Sequence, residues 1–119
     1  MTDRPTFDLQ VSQQAGIHVF NLSGRLMDQQ QADRLMEALD DALAGEEHRV
    51  VLDLSQLQYM NSTGLNILIN LLTRTRNAGG DVVIAGVSQS VRQLFLVTKL
   101  DSVFTITDNV DEALARVRA

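Results

Sequence analysis

The residues with the most chemistry to offer stand together in Tyr59-Met60-Asn61-Ser62-Thr63-Gly64. They follow the apolar run Val50-Val51-Leu52-Asp53-Leu54 and precede an apolar helix that starts near Ser62. A hydroxyl at the mouth of a helix lies beside backbone N–H groups with no intrahelical acceptor, at the positive end of the helix dipole. A phosphoryl group attached there would sit in a favourable field, so Ser62 reads as a candidate phosphate acceptor. An ordinary N-cap, worth about 0.5–2 kcal/mol over alanine, explains a serine as well. Asn61 and Thr63 also have capping side chains, and three in a row exceed what one helix needs. Gly64 in the first turn costs about 1 kcal/mol relative to alanine. Either tight packing on a sheet or the close approach of another molecule accounts for it. Met60 reads as a core filler, and Tyr59 either faces solvent near Ser62 or packs.

No arrangement for catalysis or metal binding accompanies this serine. Ser62 is not in a GxSxG elbow, and Gly79-Gly80 lacks the GxxxxGK[ST] pattern of a phosphate loop and reads as a helix stop. His18 and His48 are far apart and near no acidic pattern of ligand spacing. The 119 residues contain no cysteine, which removes disulfides and thiolate metal sites and suits a reducing compartment. The chain is expected not to be an enzyme and to carry no cofactor. The formal charge is −5, aromatic residues are only 4%, and the basic residues, Arg25, Arg34, Arg49, Arg74, Arg76, Arg92 and Lys99 among them, are scattered rather than clustered. Direct nucleic-acid binding is therefore not expected. The apolar stretch Leu65 to Leu72, broken by Asn66 and Asn70, is too short to span a bilayer. Met1 to Gln10 lacks the pattern of a signal peptide.

The elements that must position Ser62 are legible in the periodicity. Phe7, Leu9 and Val11 alternate with polar residues as a half-buried strand would. Ala15-Gly16 marks a turn into a second strand, Ile17 to Leu22, which makes a hairpin. Pro5 lies in a polar lead. Asp28 with Gln31 forms a capping box ahead of a helix carrying Ala32, Leu35, Met36, Leu39, Ala42 and Leu43, and Gly45 ends it. Arg49 to Leu54 reads as a central strand buried on both faces. The helix from Ser62 to about Ala78 follows, then a strand over Val82–Ala85. Ser88 is expected to cap a third helix with Val91, Leu94 and Phe95. Val103 to Ile106 reads as a last strand, and Asp108 is expected to cap a final helix through Val110, Ala113, Leu114 and Val117. Strands alternating with helices form right-handed parallel crossovers, and the opening hairpin makes the sheet mixed.

The run Asp53-Leu54-Ser55 through Tyr59-Met60-Asn61-Ser62-Thr63-Gly64-Leu65 resembles the signature of STAS domains, in particular bacterial anti-sigma factor antagonists. There the pattern is D-L-(x)n-[YF]-[MIV]-D-S-[ST]-G-L. Ser23-Gly24-Arg25-Leu26, Asn77-Ala78-Gly79-Gly80-Asp81, Ser90-Val91-Arg92-Gln93-Leu94-Phe95 and Asp111-Glu112-Ala113-Leu114 match further family segments in order. The resemblance implies one α/β STAS domain over residues 1–119, with a mixed sheet of four to five strands and about four helices. It implies a cytoplasmic partner switch. The unphosphorylated protein would bind an anti-sigma factor or serine kinase of the histidine-kinase-like ATPase fold. Phosphorylation at Ser62 would release it, and a serine phosphatase would reverse the reaction. The implied partner surface is Tyr59, Asn61, Ser62, Thr63, Gly64 and Asn66, with Arg25 to Asp28 as neighbours. Asn61 stands where many relatives have aspartate, and Arg25 and Met27 where antagonists carry acidic residues. The alternative is a STAS interaction subunit without a phosphorylation cycle, as in a lipid-transport ATPase assembly.

Overall fold

The computed structural model describes residues 7–118, so the lead around Pro5 lies outside the described residues. The elements run β1 (Asp8–Gln14), β2 (Ile17–Leu26), α1 (Gln29–Leu43), β3 (Arg49–Met60), α2 (Ser62–Asn77), β4 (Asp81–Ala85), α3 (Gln89–Val97), β5 (Thr105–Thr107) and α4 (Val110–Arg118). A short 3-10 helix, Leu100–Ser102, joins α3 to β5. The strands lie in sequence order in one sheet; β1 pairs antiparallel with β2, and the rest are parallel.

The sheet is covered on both faces, which is why β3 begins as an unbroken apolar run. Phe20, Leu22, Val50, Leu52, Leu54 and Ile84 face α1, α2 and α3. Ile17, Val19, Val51, Val83 and Ala85 face α4 through Ala113 and Val117. Phe95 of α3 is fully buried and meets Phe104 edge to face, with centroids 5.6 Å apart.

Local chemistry decides the helix starts. Asp28 caps α1 as expected, its carboxylate accepting from the Gln31 N–H at 3.1 Å while Gln31 Oε1 accepts from the Asp28 N–H. Ser88 caps α3. The cap of α4 is Asn109 and not Asp108: its Oδ1 accepts from the Glu112 N–H at 2.9 Å. The reason lies in β5, whose last residue, Thr107, is held by the Gly86 N–H on its carbonyl and by its own hydroxyl on Ile84 O, so the helix starts later.

Four strand readings are corrected. The last strand is Thr105–Thr107 rather than Val103 to Ile106, because Val103 and Phe104 still donate their N–H groups to Leu100 O in the preceding turn. In β1 only Leu9 is buried; Val11 is 47% exposed, since its side of this edge strand opens into a groove beside α1 rather than into the core. The second and third strands are longer than their patterns suggest, ending at Leu26 and Met60. The β2–β3 register shifts between Asn21 and Ser23 and again between Gly24 and Arg25, and each time β3 holds the extra residue. Such bulges break the period of two. They leave Leu54, Leu57 and Met60 buried at a spacing that does not read as a strand.

The connection into β3 is tied by Glu47. Its carboxylate accepts three bonds from Arg49, each 2.8 Å long, while its carbonyl accepts from His18 Nε2 at 3.0 Å. Hydrogen bonding from Arg49 lowers the Glu47 pKa from 4.5 to about 2, against a smaller opposing effect of desolvation. A lowered folded-state pKa gives stability that is present above the unfolded value and is lost as pH falls from about 4.5 towards about 2. Glu47→Gln should flatten acid unfolding in that window, by no more than about 1 kcal/mol given the solvent access of the pair, as urea melts across pH will read. Phe95→Ala should cost about 3–5 kcal/mol in the same assay, through lost burial and the cavity left against Phe104.

Candidate functional site

The site forms where β2 and β3 end side by side, with Arg25 opposite Tyr59 and Leu26 opposite Met60. The chain leaves β3 through Asn61, whose extended backbone turns directly into α2. Asn61 is the N-cap: its Oδ1 accepts from the Gly64 N–H at 2.9 Å. Its Nδ2 donates to the Met27 carbonyl at 3.1 Å. One amide therefore closes the first turn of α2 and ties it to the β2–α1 connection.

This resolves the surplus of capping residues. Ser62 is the first helical residue, exposed and free of capping duty. The N–H groups of Ser62 and Thr63 point out of the helix mouth, because the first intrahelical bond is donated by Leu65 to Asn61 O and the Gly64 N–H is taken by Asn61. The first turn of α2 contains no acidic residue, while Arg74 and Arg76 complement the dipole at its far end.

Gly64 is explained by packing. It is buried, and a Cβ there would collide with the Leu26 carbonyl and come within 2.9 Å of the Met60 Cβ. It sets the approach of α2 to the strand ends.

The rest of the neighbourhood is exposed. Tyr59 is 42% exposed and has the Arg25 guanidinium 5.7 Å from its ring centroid, within the range of a cation–π contact. Met27 is 38% exposed. Asn66 lies one turn beyond Ser62 on the same side of α2 and is exposed. Thr63 is half-buried. The structure thus gathers Arg25, Asp28, Tyr59, Asn61, Ser62, Thr63 and Asn66 at one end of the molecule, with Gly64 beneath them.

Two residues that sequence reasoning did not place at the site hold it in shape. Gln31 does more than complete the capping box: its Oε1 also accepts from the Met27 N–H, and its Nε2 donates to the Arg25 carbonyl at 3.0 Å. Its side chain so binds the backbone of the whole segment from Arg25 to Asp28. Ser90 at the start of α3 donates its hydroxyl to the Gln58 carbonyl at 3.0 Å, bracing β3 just before Tyr59. The capping-box spacing was the available signal for Gln31; no local pattern marked Ser90.

Among the described residues no group of three or more His, Asp or Glu side chains is placed to hold a metal ion. A groove of about 440 Å³ runs between α1 and α2, lined by Met36, Ile67 and Asn70 with Asp33 and Arg74. Arg74 is already paired with Asp40 at 3.0 Å. What this end of the molecule offers is an exposed hydroxyl in a positive field on a braced surface of mixed character.

Comparison with known proteins gives consistent findings. The family model described as STAS domain matches residues 8–113. The anti-sigma F factor antagonist of Paenibacillus polymyxa is 26% identical over 110 residues, spanning 92% of this chain and 93% of that protein. The crystal structure of an anti-sigma factor antagonist from Mycobacterium paratuberculosis superimposes with a TM-score of 0.80 at 25% identity, over 96% of each chain. The antagonist SpoIIAA, unphosphorylated, gives a TM-score of 0.75 at 22% identity over 95% of this chain and 96% of that one. Phosphorylated SpoIIAA of Bacillus gives 0.70 at 20% over 95% and 100%. These last two show a shared fold.

Gly64→Ala should destabilise the protein by about 1–3 kcal/mol, because the Leu26 backbone cannot yield as a side chain would. Asn61→Ala should cost about 1–2 kcal/mol as a lost cap. Asn61→Asp retains the cap but turns an acceptor towards the Met27 carbonyl, so it should lose less stability and loosen the β2–α1 connection. Urea unfolding ranks the three, and amide exchange around Met27 and Asp28 detects the loosening.

Proposed function

The chain belongs to the STAS domain family, and on that premise we propose that it acts as an anti-sigma factor antagonist, switched by phosphorylation at Ser62. The observation that carries this reading is the division of labour at the helix mouth. Asn61 caps α2, and the adjacent exposed hydroxyl of Ser62 is left unengaged by capping in a field suited to a dianion. Similarity to antagonists of other bacteria supports the partner class.

In its unphosphorylated form the protein binds an anti-sigma factor that is a serine kinase of the histidine-kinase-like ATPase fold. The face used is formed by Tyr59, Asn61, Ser62, Thr63 and Asn66, with Arg25, Met27 and Asp28 beside it. Binding withdraws that kinase from its client. The kinase transfers the γ-phosphoryl group of ATP to Ser62 Oγ; the hydroxyl proton leaves to a base on the kinase, and ADP is released. This chain supplies the acceptor and the orientation of that acceptor. A serine phosphatase hydrolyses the phosphoester and resets the protein.

The physical basis of release is that the phosphate is accommodated by the fold but not by the interface. The outward N–H groups of Ser62 and Thr63 and the helix dipole favour it. A partner packed against the same hydroxyl must desolvate a double negative charge. Far-UV circular dichroism of the phosphorylated protein should therefore match the unmodified form.

Affinity capture from native lysate, read by mass spectrometry, tests the switch. Wild type and Ser62→Ala should recover a histidine-kinase-like ATPase, whereas Ser62→Glu should recover it at least about tenfold less well, a loss of about 1.4 kcal/mol. Equal recovery of a transport ATPase by all three would replace the switch with the reading of a constitutive interaction subunit.

A further inference from the structure

The sheet has two edges of unlike character. β5 is three residues long, and β1 is seven. A short edge offers little to pair with, whereas a long one presents a row of open N–H and C=O groups. Among the described residues no strand pairs with the outer side of β1. The usual guards are missing from it: it holds no proline, lysine or glycine, and its register with β2 runs from Asp8↔Ser23 to Gln14↔Ile17 without a shift. Its one charge, Asp8, stands at the far end and is paired with Arg34 at 3.2 Å.

The hairpin turn decides which backbone groups are open. Ala15 and Gly16 have φ of 54° and 81°, the positive values of a two-residue type I′ turn. In such a hairpin the flanking residues, Gln14 and Ile17, exchange backbone hydrogen bonds, and hydrogen-bonded pairs alternate from there. Asp8, Gln10, Ser12 and Gln14 thus direct their N–H and C=O groups to β2, and Leu9, Val11 and Gln13 direct theirs outward. In keeping with this, the Leu9 carbonyl accepts from the Arg34 guanidinium at 3.2 Å. A carbonyl has a second lone pair, so this contact leaves the position open to another donor.

We propose that this edge pairs with the same edge of a second copy of the chain, antiparallel, about a two-fold axis at Val11. The register is self-complementary. Val11 meets Val11, and Leu9 of each copy meets Gln13 of the other, all of them residues with outward backbone groups. Leu9, Val11 and Gln13 also share one face of the strand, so the exposed Val11 side chains cover each other at the axis. Charge fits the same register. Helix α1 lies along β1 with Arg34 at the Asp8 end, and Asp41 beside Gln13. Pairing brings Arg34 of each copy towards Asp41 of the other. The two Glu37 side chains, which line the groove next to Val11, come near the axis and oppose the association. An edge pair with one flanking helix contact is small, below about 1,200 Å², so the dimer is weak, with a dissociation constant on the order of 10–100 µM. Val11 pairs with Phe20 in mid-strand, whereas Ser62 lies past the end of β2, so both Ser62 faces stay open and the dimer is bivalent.

Sedimentation velocity of the full chain across the micromolar range tests this. The mass should rise from that of one chain towards that of two as concentration increases. Val11→Lys, which sets two ammonium groups at the axis, should hold the protein monomeric, and Glu37→Ala should shift the transition to lower concentration. Circular dichroism establishes that each variant is folded. Amide exchange gives an independent reading: the N–H groups of Leu9, Val11 and Gln13 should gain protection with concentration, while those of Gln10 and Ser12 stay as they are. Wild type that remains monomeric throughout overturns the proposal. So does a dimer that persists in Val11→Lys, or one whose protection appears away from β1. None of these outcomes depends on phosphorylation or on the partner of Ser62.

Discussion

The exposed serine exists as a distinct chemical group because of the Asn61 side chain. Its Oδ1 satisfies the Gly64 N–H and its Nδ2 satisfies the Met27 carbonyl, so one amide completes a helix and fastens it to a neighbouring loop. Only a side chain with both a donor and an acceptor can do this. Gly64 makes the arrangement possible, since any larger residue would drive α2 away from the Leu26 backbone and stretch both bonds. With the cap assigned to Asn61, the next residue has no structural work for its hydroxyl. Its exposed hydroxyl stands in the field of a helix terminus and takes no part in the cap.

The sheet supplies the platform for this junction through irregularity as much as through order. Its central strand is buried on both faces over Val50–Leu52, as parallel strands covered by helices must be. Beyond Asp53 the strand carries two extra residues relative to β2. The Asp53 carboxylate stabilises the first irregularity, accepting from Asn21 Nδ2 at 2.9 Å and from the Ser55 hydroxyl at 2.7 Å. The bulges bring Tyr59 to the surface beside Arg25 and turn Met60 into the core under Gly64. Bulges commonly re-aim side chains next to functional sites, and here they fix which residues accompany the serine.

The proposed switch would work by charge rather than by refolding. The surface around Ser62 is braced from two sides, by Gln31 on the Arg25–Asp28 segment and by Ser90 on the end of β3. A phosphate added to a braced surface changes what the surface repels without changing its shape.

The sequence by itself determined the order of the elements, the mixed sheet, the Asp28–Gln31 capping box and the start of α2 at Ser62. These depend on periodicity and on side chains within a few residues of one another, which a linear reading captures. It left open whether Ser62, Asn61 or Thr63 caps α2 and whether Gly64 serves packing or recognition. It misplaced the cap of α4 and the last strand, and it ended β3 too early. Each of these depended on groups distant in the chain: the Met27 carbonyl for Asn61, the Leu26 backbone for Gly64, the β4 carbonyl of Ile84 for Thr107, and the β2 register for the bulges. The tertiary structure decided them because a hydrogen bond or a steric limit is set by which atoms meet in space, and no spacing along the chain encodes a partner thirty residues away.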